Sequence, residues 1–364
     1  MNDTDIILPA SQSNNVPIVL ASSDYYVPFM TVTVQSVIEH RSEKFFYDFI
    51  LLHSGISEEA QYMVASIAKG IDNVSIRFVE VTSDLSKYSY NFREGYAQES
   101  FYRVVMMDIL SSYDKAIYLD CDVIAVSDVA ELFQMDLGDN LVAAARDIDG
   151  ISNWYFDHDG RRNYISDIMG LKDPEEYFQS GVVLFNLKEL RNTFRIQEII
   201  EVTCAPQIVW GDQDALNILC NGRVRYLGFE WNTIVNLPSG QINNLFVYGP
   251  PHLLQEYLNA RRQPKIIHYA GAKPWNEIHT DMFQHFWVIA RNTPFYEIIY
   301  SRLKEKMIQK KTEASQGRSN VRRIADKFFP KGSARRERLK KILPKGSRRW
   351  AFLKRIFRFV LRYE

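Results

Sequence analysis

The chain has 364 residues, which is enough for one large domain or two ordinary ones. Hydrophobic residues make up 46% and aromatic residues 13% of it, a composition that excludes general disorder and can form a substantial core. The formal net charge of zero hides an asymmetry. Residues 301–364 hold 22 Lys and Arg against 5 Asp and Glu, which leaves 22 basic and 39 acidic residues in 1–300. The sequence therefore predicts an acidic globular body followed by a basic tail.

Cysteine use and the N-terminus bear on the cellular compartment. The three cysteines (Cys121, Cys204 and Cys220) are an odd number without a CxxC spacing, so we expect neither a disulfide framework nor a zinc site, and a reducing compartment fits best. The N-terminal MNDTDIILPASQSNN carries acids where a signal peptide needs positive charge. No segment approaches the roughly eighteen apolar residues of a membrane span. We expect a soluble, cytoplasmic body.

The apolar runs predict short strands alternating with helices, after a polar and loose segment at 1–16. Strands are predicted at 17–22 (PIVLAS), 48–54 (DFILLHS), 74–81 (VSIRFVEV), within 114–126 (DKAIYLDCDVIAV), and at 141–145 (LVAAA), 181–187 (GVVLFNL), 224–228 (VRYLG) and 265–270 (KIIHYA). Helices are predicted at 27–40, from Ser57 as N-cap to about residue 69, and at 98–111. This alternation indicates an α/β domain with a largely parallel sheet.

Two carboxylates, Asp120 and Asp122, interrupt the run at 114–126 where the strand ends. Strands disfavour Asp, and two like charges at one strand end repel, so the pair needs a stabilising partner. Ligands of such sheets bind beyond the carboxyl ends of the strands, and Asp147 also follows a strand. Paired carboxylates favour Mg2+ or Mn2+, which prefer carboxylate, water and phosphate oxygens. A solvated turn is the alternative interpretation of D-x-D alone.

A second informative stretch is KIIHYAGAKPWN, residues 265–276. His268 follows an apolar run, so it is either a hydrogen-bonded core histidine or a metal ligand, and imidazole suits Mn2+ better than Mg2+. Gly271 allows close backbone approach, and Lys273 offers a point charge for a phosphate. Together with Asp120 and Asp122, these residues predict a metal–diphosphate site.

Five motifs, in the same order, resemble those of the family 8 glycosyltransferases over about residues 17–290. They are IVLASSDYY, SFYRVVMMDILSSYDKAIYLDCDVIAV, YFQSGVVLFNLKEL, WGDQDALNIL and IIHYAGAKPW. The family comprises retaining enzymes with a GT-A fold, a Rossmann-like nucleotide-diphospho-sugar transferase domain, and includes bacterial lipopolysaccharide galactosyl- and glucosyltransferases and glycogenin. The resemblance implies a single GT-A domain at 17–295, with the basic region at 296–364 as an attachment segment.

The resemblance also implies roles for individual residues. Asp120, Asp122 and His268 would bind Mn2+, with Mg2+ as an alternative, and two diphosphate oxygens of a UDP-sugar would complete the coordination. The other donor-binding residues would be Ala21, Ser23 and Tyr25 at uridine, Gly271 and Lys273 at the diphosphate, Cys121 between the two aspartates, and Gln179 and Ser180 beside the sugar. The catalytic residues would be Arg103 and Asp147 at the sugar, Asp212 at a sugar hydroxyl, and Gln213 near the anomeric carbon.

These assignments have alternatives in the sequence. Arg103 is otherwise a surface helix arginine, Asp212 a helix N-cap, and Tyr25 a loop aromatic. Gln213 is an amide and cannot be the carboxylate nucleophile of a double displacement, which favours front-face transfer within an ion pair. The chain also departs from the family pattern, since only Ala272 separates Gly271 from Lys273, and Ser23 and Tyr25 stand where many relatives have acidic or amide residues.

The tail contains Pro-Lys-Gly-Ser twice, at 330–333 and 344–347, each typical of a turn whose serine caps a helix. In the last segment one helical face would carry Trp350, Leu353, Phe357, Val360 and Leu361, and the other Arg348, Arg355, Arg358 and Arg362. This pattern predicts a helix lying on an anionic membrane surface. Nucleic acid binding, or packing on the body or a partner, are the alternatives.

The resemblance, together with the basic tail, implies a peripheral enzyme on the cytoplasmic face of a membrane. It would move galactose or glucose from a UDP-sugar onto a cell-surface glycan or glycolipid precursor, with no nucleic acid partner. Two alternatives remain open: transfer to protein, including self-glycosylation, and a non-catalytic UDP-sugar-binding scaffold.

Overall fold

The computed structural model describes residues 6–81, 98–157, 160–237 and 239–328, with backbone alone at 98, 100, 239–240 and 313–328. Contacts divide the chain into two units, Met1–Leu303 and Lys304–Glu364. The packing and the site described below belong to the first unit. In the second, the described residues are helical as far as Phe328. The amphipathic segment predicted at 348–362 lies outside the described residues.

Ten strands are present in the described part of the chain. They are β1 (Asn15–Ser22), β2 (Phe46–His53), β3 (Val74–Glu80), β4 (Lys115–Leu119), β5 (Val123–Ala125), β6 (Val142–Arg146), β7 (Phe178–Asn186), β8 (Val224–Leu227), β9 (Thr233–Ile234) and β10 (Ile266–His268). Seven of them form one sheet in the order β3-β2-β1-β4-β7-β6-β8, and β5-β10-β9 form a second. In the large sheet β7 alone runs antiparallel to its neighbours. The predicted α/β class with a largely parallel sheet is confirmed.

Helices connect and cover the strands. In the described ranges they are α1 (Val27–Glu39), α2 (Glu58–Ala65), α3 (Gln98–Ile109), α4 (Ala130–Phe133), α5 (Ile148–Phe156), α6 (Arg161–Asn163), α7 (Leu187–Thr193), α8 (Ile196–Thr203), α9 (Gly211–Leu219), α10 (Ser239–Tyr248), α11 (Pro251–Ala260), α12 (Phe283–Ala290) and α13 (Tyr296–Phe328). A short 3-10 helix, Asp24–Tyr26, follows β1. No helix of this described part is long and apolar enough to cross a membrane.

Both faces of the large sheet are buried, as the continuous apolar runs predict. Successive residues of β1 point to opposite faces, so Ile18 and Leu20 pack in one core cluster and Val19 in the other. The first cluster includes α1 and α12, whereas α3, α8 and α9 contribute to the second.

The run at 114–126 is not one strand. β4 ends at Leu119 in the large sheet, the chain turns through Asp120–Asp122, and β5 continues in the small sheet. There β5 pairs antiparallel with β10, which places His268 opposite Val123. The turn between the two sheets therefore places the D-x-D motif beside His268, although His268 lies 146 residues after Asp122 in the sequence.

Two local predictions need correction. Ser57 holds the N-cap position of α2 but makes no capping hydrogen bond with its side chain. Its hydroxyl donates instead to Asp24 Oδ1 at 3.1 Å, which connects the start of α2 to the 3-10 helix after β1. The α-helix also ends at Ala65, and a 3-10 helix follows it at Ser66–Ala68.

Candidate functional site

Several of the predicted site residues lie at strand ends that meet at one edge of the large sheet. Asp120 follows β4, Asp147 follows β6, and Ala21 is among the last residues of β1. Gln179 and Ser180 lie near the start of β7, which runs the opposite way and so begins at the same edge. Ligands of α/β sheets bind at this edge.

Asp120, Asp122 and His268 form a compact group of three. His268 Nε2 lies 3.2 Å from Asp122 Oδ1 and 3.9 Å from Asp120 Oδ2. One ligand atom from each residue lies within 4.8 Å of the other two. The structure thus brings together the three residues predicted as metal ligands.

A chain of hydrogen bonds determines which nitrogen of His268 faces the carboxylates. The Gly181 N–H donates to Gln179 Oε1 at 2.6 Å, so this Gln179 atom is an oxygen. Asn232 Nδ2 donates to the same oxygen at 2.5 Å, which turns Asn232 Oδ1 towards His268 Nδ1, 2.9 Å away. Nδ1 therefore carries a proton, and Nε2 is the nitrogen that faces the two carboxylates, where a bound cation would take the lone pair that Nε2 offers in the neutral imidazole. Metal-binding histidines are oriented in this way.

The charges around Asp122 fit a cation at this point. Lys273 Nζ forms an ion pair with Asp122 Oδ2 and also donates to the backbone oxygen of Tyr269. Burial alone would raise the pKa of Asp122, but the charges of Lys273 and His268 more than offset it and lower the pKa. Two carboxylates and an imidazole nitrogen that face one place form an O,O,N donor set suited to Mn2+.

Arg103 joins the two aspartate motifs. Its guanidinium donates to Ser180 O at 2.6 Å and to Asp120 Oδ1 at 3.0 Å, and its Nε lies 2.6 Å from Asp212 Oδ2. Burial by itself would lower the pKa of Arg103, but the charges of Asp120 and Asp212 raise this pKa above its usual value. With 7% of its surface exposed, Arg103 is not the surface arginine that the sequence left open.

Asp212 lies in the first turn of α9, whose N-cap is Trp210, so it is not a helix N-cap. Its contact with Arg103 lacks hydrogen-bond geometry, and Oδ2 accepts no hydrogen bond from any residue that the structure describes. Burial and the charge of Asp120 raise the pKa of Asp212 to about 6, although Arg103 opposes the shift. The Arg103 charge, with Nε 2.6 Å from Oδ2, therefore lies directly against this buried carboxylate.

Hydrogen bonds hold the Gln213 side chain in one orientation. Its Oε1 accepts from the Ser180 N–H at 3.1 Å and from the Ser180 hydroxyl at 3.2 Å. Its Nε2 donates to Asp147 Oδ2 and to the Tyr177 hydroxyl, each at 3.0 Å. Asp147 in turn caps α5, accepting from two backbone N–H groups with its other oxygen. The amide of Gln213 is therefore fixed between Asp147 and Ser180.

The sequence reasoning missed the residues behind Gln213. Asp214 is fully buried and accepts from the hydroxyls of Tyr177 at 2.7 Å and Tyr164 at 2.5 Å, and from the Trp210 N–H at 2.7 Å. The D-Q-D motif contains Asp214, but the two tyrosines lie 37 and 50 residues earlier. No local pattern predicts such partners. Because Asp214 accepts three hydrogen bonds, it holds Tyr177 in place, and the Tyr177 hydroxyl in turn accepts from Gln213.

Asp149 is a second carboxyl next to Asp147 that the sequence did not single out. Its oxygens accept from Asn153 and Gln241, each at 3.1 Å. Burial and the neighbouring Asp147 raise the pKa of Asp149 to about 7, with Arg161 opposing the shift. The Asp149 carboxyl therefore lies two residues along the chain from Asp147, the hydrogen-bond partner of Gln213.

Aromatic residues follow β1 at the same edge. Tyr25 is exposed, whereas Tyr26 is half-buried, and Ser23 precedes their 3-10 helix. Burial raises the pKa of the Tyr26 phenol. The charge of Lys273 acts in the opposite direction, and the charge of Asp122 adds to the increase. The Tyr26 phenol thus lies in the electrostatic field of the candidate metal site, although the sequence reasoning did not assign it a role.

Two predicted donor-binding residues make structural contacts. The Cys121 thiol is buried, donates to Ala21 O at 3.0 Å, and has a pKa that burial raises. Gly271 packs directly on the backbone of Asn236, where an added Cβ would lie 1.8 Å from the carbonyl oxygen. These contacts hold the strand ends together around the site.

Residues 17–279 match the family model described as Glycosyl transferase family 8. Among characterised relatives, the chain is 26% identical over 289 residues to the glycosyltransferase GlyF of Streptococcus pneumoniae, covering 78% of this chain and 63% of GlyF. It is 25% identical over 210 residues to the lipopolysaccharide 1,2-glucosyltransferase of Escherichia coli, covering 56% of this chain and 54% of that protein. The chain thus covers less than two thirds of either relative.

Solved structures with the same fold are also transferases. The bifunctional glycosyltransferase WbbM superposes with a TM-score of 0.74 at 29% identity, over 81% of this chain and 53% of WbbM. The galactosyltransferase LgtC, solved with donor and acceptor sugar analogs, superposes with a TM-score of 0.62 at 26% identity, over 77% of this chain and 96% of LgtC. The fold is the GT-A fold.

Proposed function

Since the chain belongs to glycosyl transferase family 8, we propose that it moves galactose or glucose from a UDP-sugar onto a cell-surface glycan or glycolipid precursor, with retention of configuration. The observation that carries the proposal is the convergence of Asp120, Asp122 and His268 at the sheet edge that also holds Gln213. The match to a lipopolysaccharide glucosyltransferase supports a glycolipid acceptor.

The proposed metal ligands are Asp120, Asp122 and His268, binding Mn2+ or Mg2+. The cation would offset the repulsion between the carboxylates and neutralise the diphosphate as UDP leaves. Lys273, whose ammonium already lies against Asp122, is the proposed partner of a diphosphate oxygen. Ser23, Tyr25 and the half-buried Tyr26 are the proposed contacts of the nucleoside.

The transferred sugar would lie between Arg103, Asp212 and Gln213. The Asp212 carboxylate, which accepts no described hydrogen bond with Oδ2, would take a sugar hydroxyl. Gln213 carries no charge, and its amide protons are directed at Asp147 and Tyr177, so it would orient the reacting carbon through its carbonyl dipole. Because position 213 carries an amide and no carboxylate, the proposed mechanism is front-face transfer within an ion pair. A UDP oxygen would help to deprotonate the acceptor.

The test is UDP release from a panel of UDP-sugars without acceptor, in Mn2+, Mg2+ or EDTA. We expect slow Mn2+-dependent hydrolysis of UDP-galactose or UDP-glucose and none in EDTA, because the cation stabilises departing UDP. If no sugar is hydrolysed, a calorimetric titration of UDP with Mn2+ decides. Binding retains the transferase proposal with an acceptor requirement, and absence of binding rules it out.

We also propose that the basic segment 320–364 attaches the enzyme to an anionic membrane. The support is the sequence, which alternates basic and apolar positions between Arg348 and Arg362. Deleting 320–364 should abolish cosedimentation with phosphatidylglycerol vesicles and leave UDP-sugar hydrolysis unchanged, since each basic residue at such a surface contributes about 1 kcal/mol. Phosphatidylcholine vesicles are the control, and equal cosedimentation of both forms would contradict the proposal.

A further inference from the structure

The first turns of α13 contact the loop that follows β1, although α13 lies beyond the residues matched by the family model. Arg302 Nη1 donates to Tyr25 O at 2.8 Å. The guanidinium carbon of Arg302 also lies 4.5 Å from the centre of the Tyr25 ring and 5.7 Å from that of Phe29. One side chain thus holds both the backbone and the ring of Tyr25.

Tyr25 belongs to an aromatic cluster that reaches the candidate metal site. The Tyr26 ring packs edge-on against Tyr25 at 5.9 Å and against Trp275 at 6.5 Å. Phe29 stacks on Trp275 at 4.1 Å. Trp275 lies two residues after Lys273, so the loop after β1 and the loop that carries Lys273 pack on each other through these rings.

The exposure of Tyr25 shows why this contact matters. With 52% of its surface exposed, Tyr25 has little core packing to hold it, and its loop is a short 3-10 helix. The Arg302 hydrogen bond and cation–π contact restrain Tyr25 from outside the loop, in addition to the hydrogen bonds that Ser57 donates to the neighbouring Asp24. Lysine would not replace arginine here, because only the planar guanidinium donates to the carbonyl and stacks on the ring together.

We propose that Arg302 is a positioning residue that holds the loop of Ser23, Tyr25 and Tyr26 in the conformation that binds the nucleoside of the donor. The inference rests on the proposed function, in which this loop contacts uridine. Holding the loop before binding lowers the conformational entropy lost when the nucleotide binds. Arg302 acts through Tyr25, so it affects donor affinity and leaves the chemical step unchanged.

The experiment compares wild type, Arg302→Ala, Arg302→Lys and Arg291→Ala, an exposed arginine at the C-terminus of α12 as the matched control. Calorimetric titrations with UDP and with uridine, both in Mn2+, give the affinities, and UDP-sugar hydrolysis gives kcat and KM. We expect both Arg302 variants to weaken binding of UDP and of uridine by the same factor, about tenfold, because an exposed cation–π contact and a hydrogen bond to Tyr25 O are lost together. KM should rise by that factor, with kcat and the melting temperature close to wild type.

The outcomes separate the two proposals. Wild-type protein that binds no UDP overturns the proposed function, and this inference with it. If wild type binds UDP and both Arg302 variants bind within twofold of it, Arg302 is not a positioning residue. A fall in kcat at unchanged KM, or an equal loss in Arg291→Ala, also overturns the inference. If Arg302→Ala does not fold, Arg302→Lys, which keeps the charge, supplies the same comparison.

Discussion

Asp122→Asn is expected to abolish metal-dependent turnover, lowering UDP release by about a thousandfold. Asp122 lies between His268 Nε2 and Lys273 Nζ, and its pKa is lowered by both, so it provides negative charge where the cation would bind. Losing a ligand charge removes several kcal/mol of charge stabilisation as UDP leaves, and each 1.4 kcal/mol or so is about tenfold in rate.

The measurement is the rate of UDP release over a range of Mn2+ concentrations, beside a thermal melt. Asp72→Asn is the matched control, because Asp72 is exposed in the turn before β3, at the opposite end of the strands. Both variants should remain folded, and only Asp122→Asn should lose activity. Near-normal turnover of Asp122→Asn at all Mn2+ concentrations would remove Asp122 from the metal site.

Gly181→Ala should lower Mn2+ affinity and turnover by about a hundredfold with a smaller effect on stability. An added Cβ would lie 2.5 Å from His268 Cε1 and 2.6 Å from Asp120 Oδ2, much closer than atoms pack. Both neighbours are the ends of side chains, which can move without unfolding the sheet, but their movement displaces two proposed ligands. A displacement of about 1 Å in a catalytic group costs about a hundredfold in rate.

Manganese binding in the presence of UDP, followed by electron paramagnetic resonance, measures the first effect, and UDP release the second. Gly222→Ala is the comparison, since its φ of +75° is strained for alanine but no atom lies within 4 Å of the new Cβ. That variant should lose about 1–2 kcal/mol of stability and keep its activity. Wild-type metal affinity in Gly181→Ala would show that the cation does not bind between Asp120 and His268.

The fold class and the convergence of the site were predictable from the order of the residues along the chain. Apolar runs of strand length separated by helices required a largely parallel sheet, and such a sheet collects its ligands at the carboxyl ends of its strands. Asp120, Asp122 and Asp147 follow strands, so their meeting at one edge was predictable from their positions. His268 was predicted from its position after the apolar run of KIIHYAGAKPWN, with the family resemblance as further support, and the structure places it beside both aspartates.

The orientation of these side chains and the residues that support them depend on contacts between distant elements, which the sequence pattern does not contain. Gly181, Gln179 and Asn232 turn Nε2 of His268 towards the aspartates, and Gln213 is held by Tyr177, whose other partner is Asp214. Arg302 reaches Tyr25 across 277 residues of sequence. Sequence periodicity indicates which face of a strand or helix is buried, because side chains on one face recur at the period of that element. It carries no information about partners brought together by the packing of distant elements, and those partners determine the chemistry at this edge of the sheet.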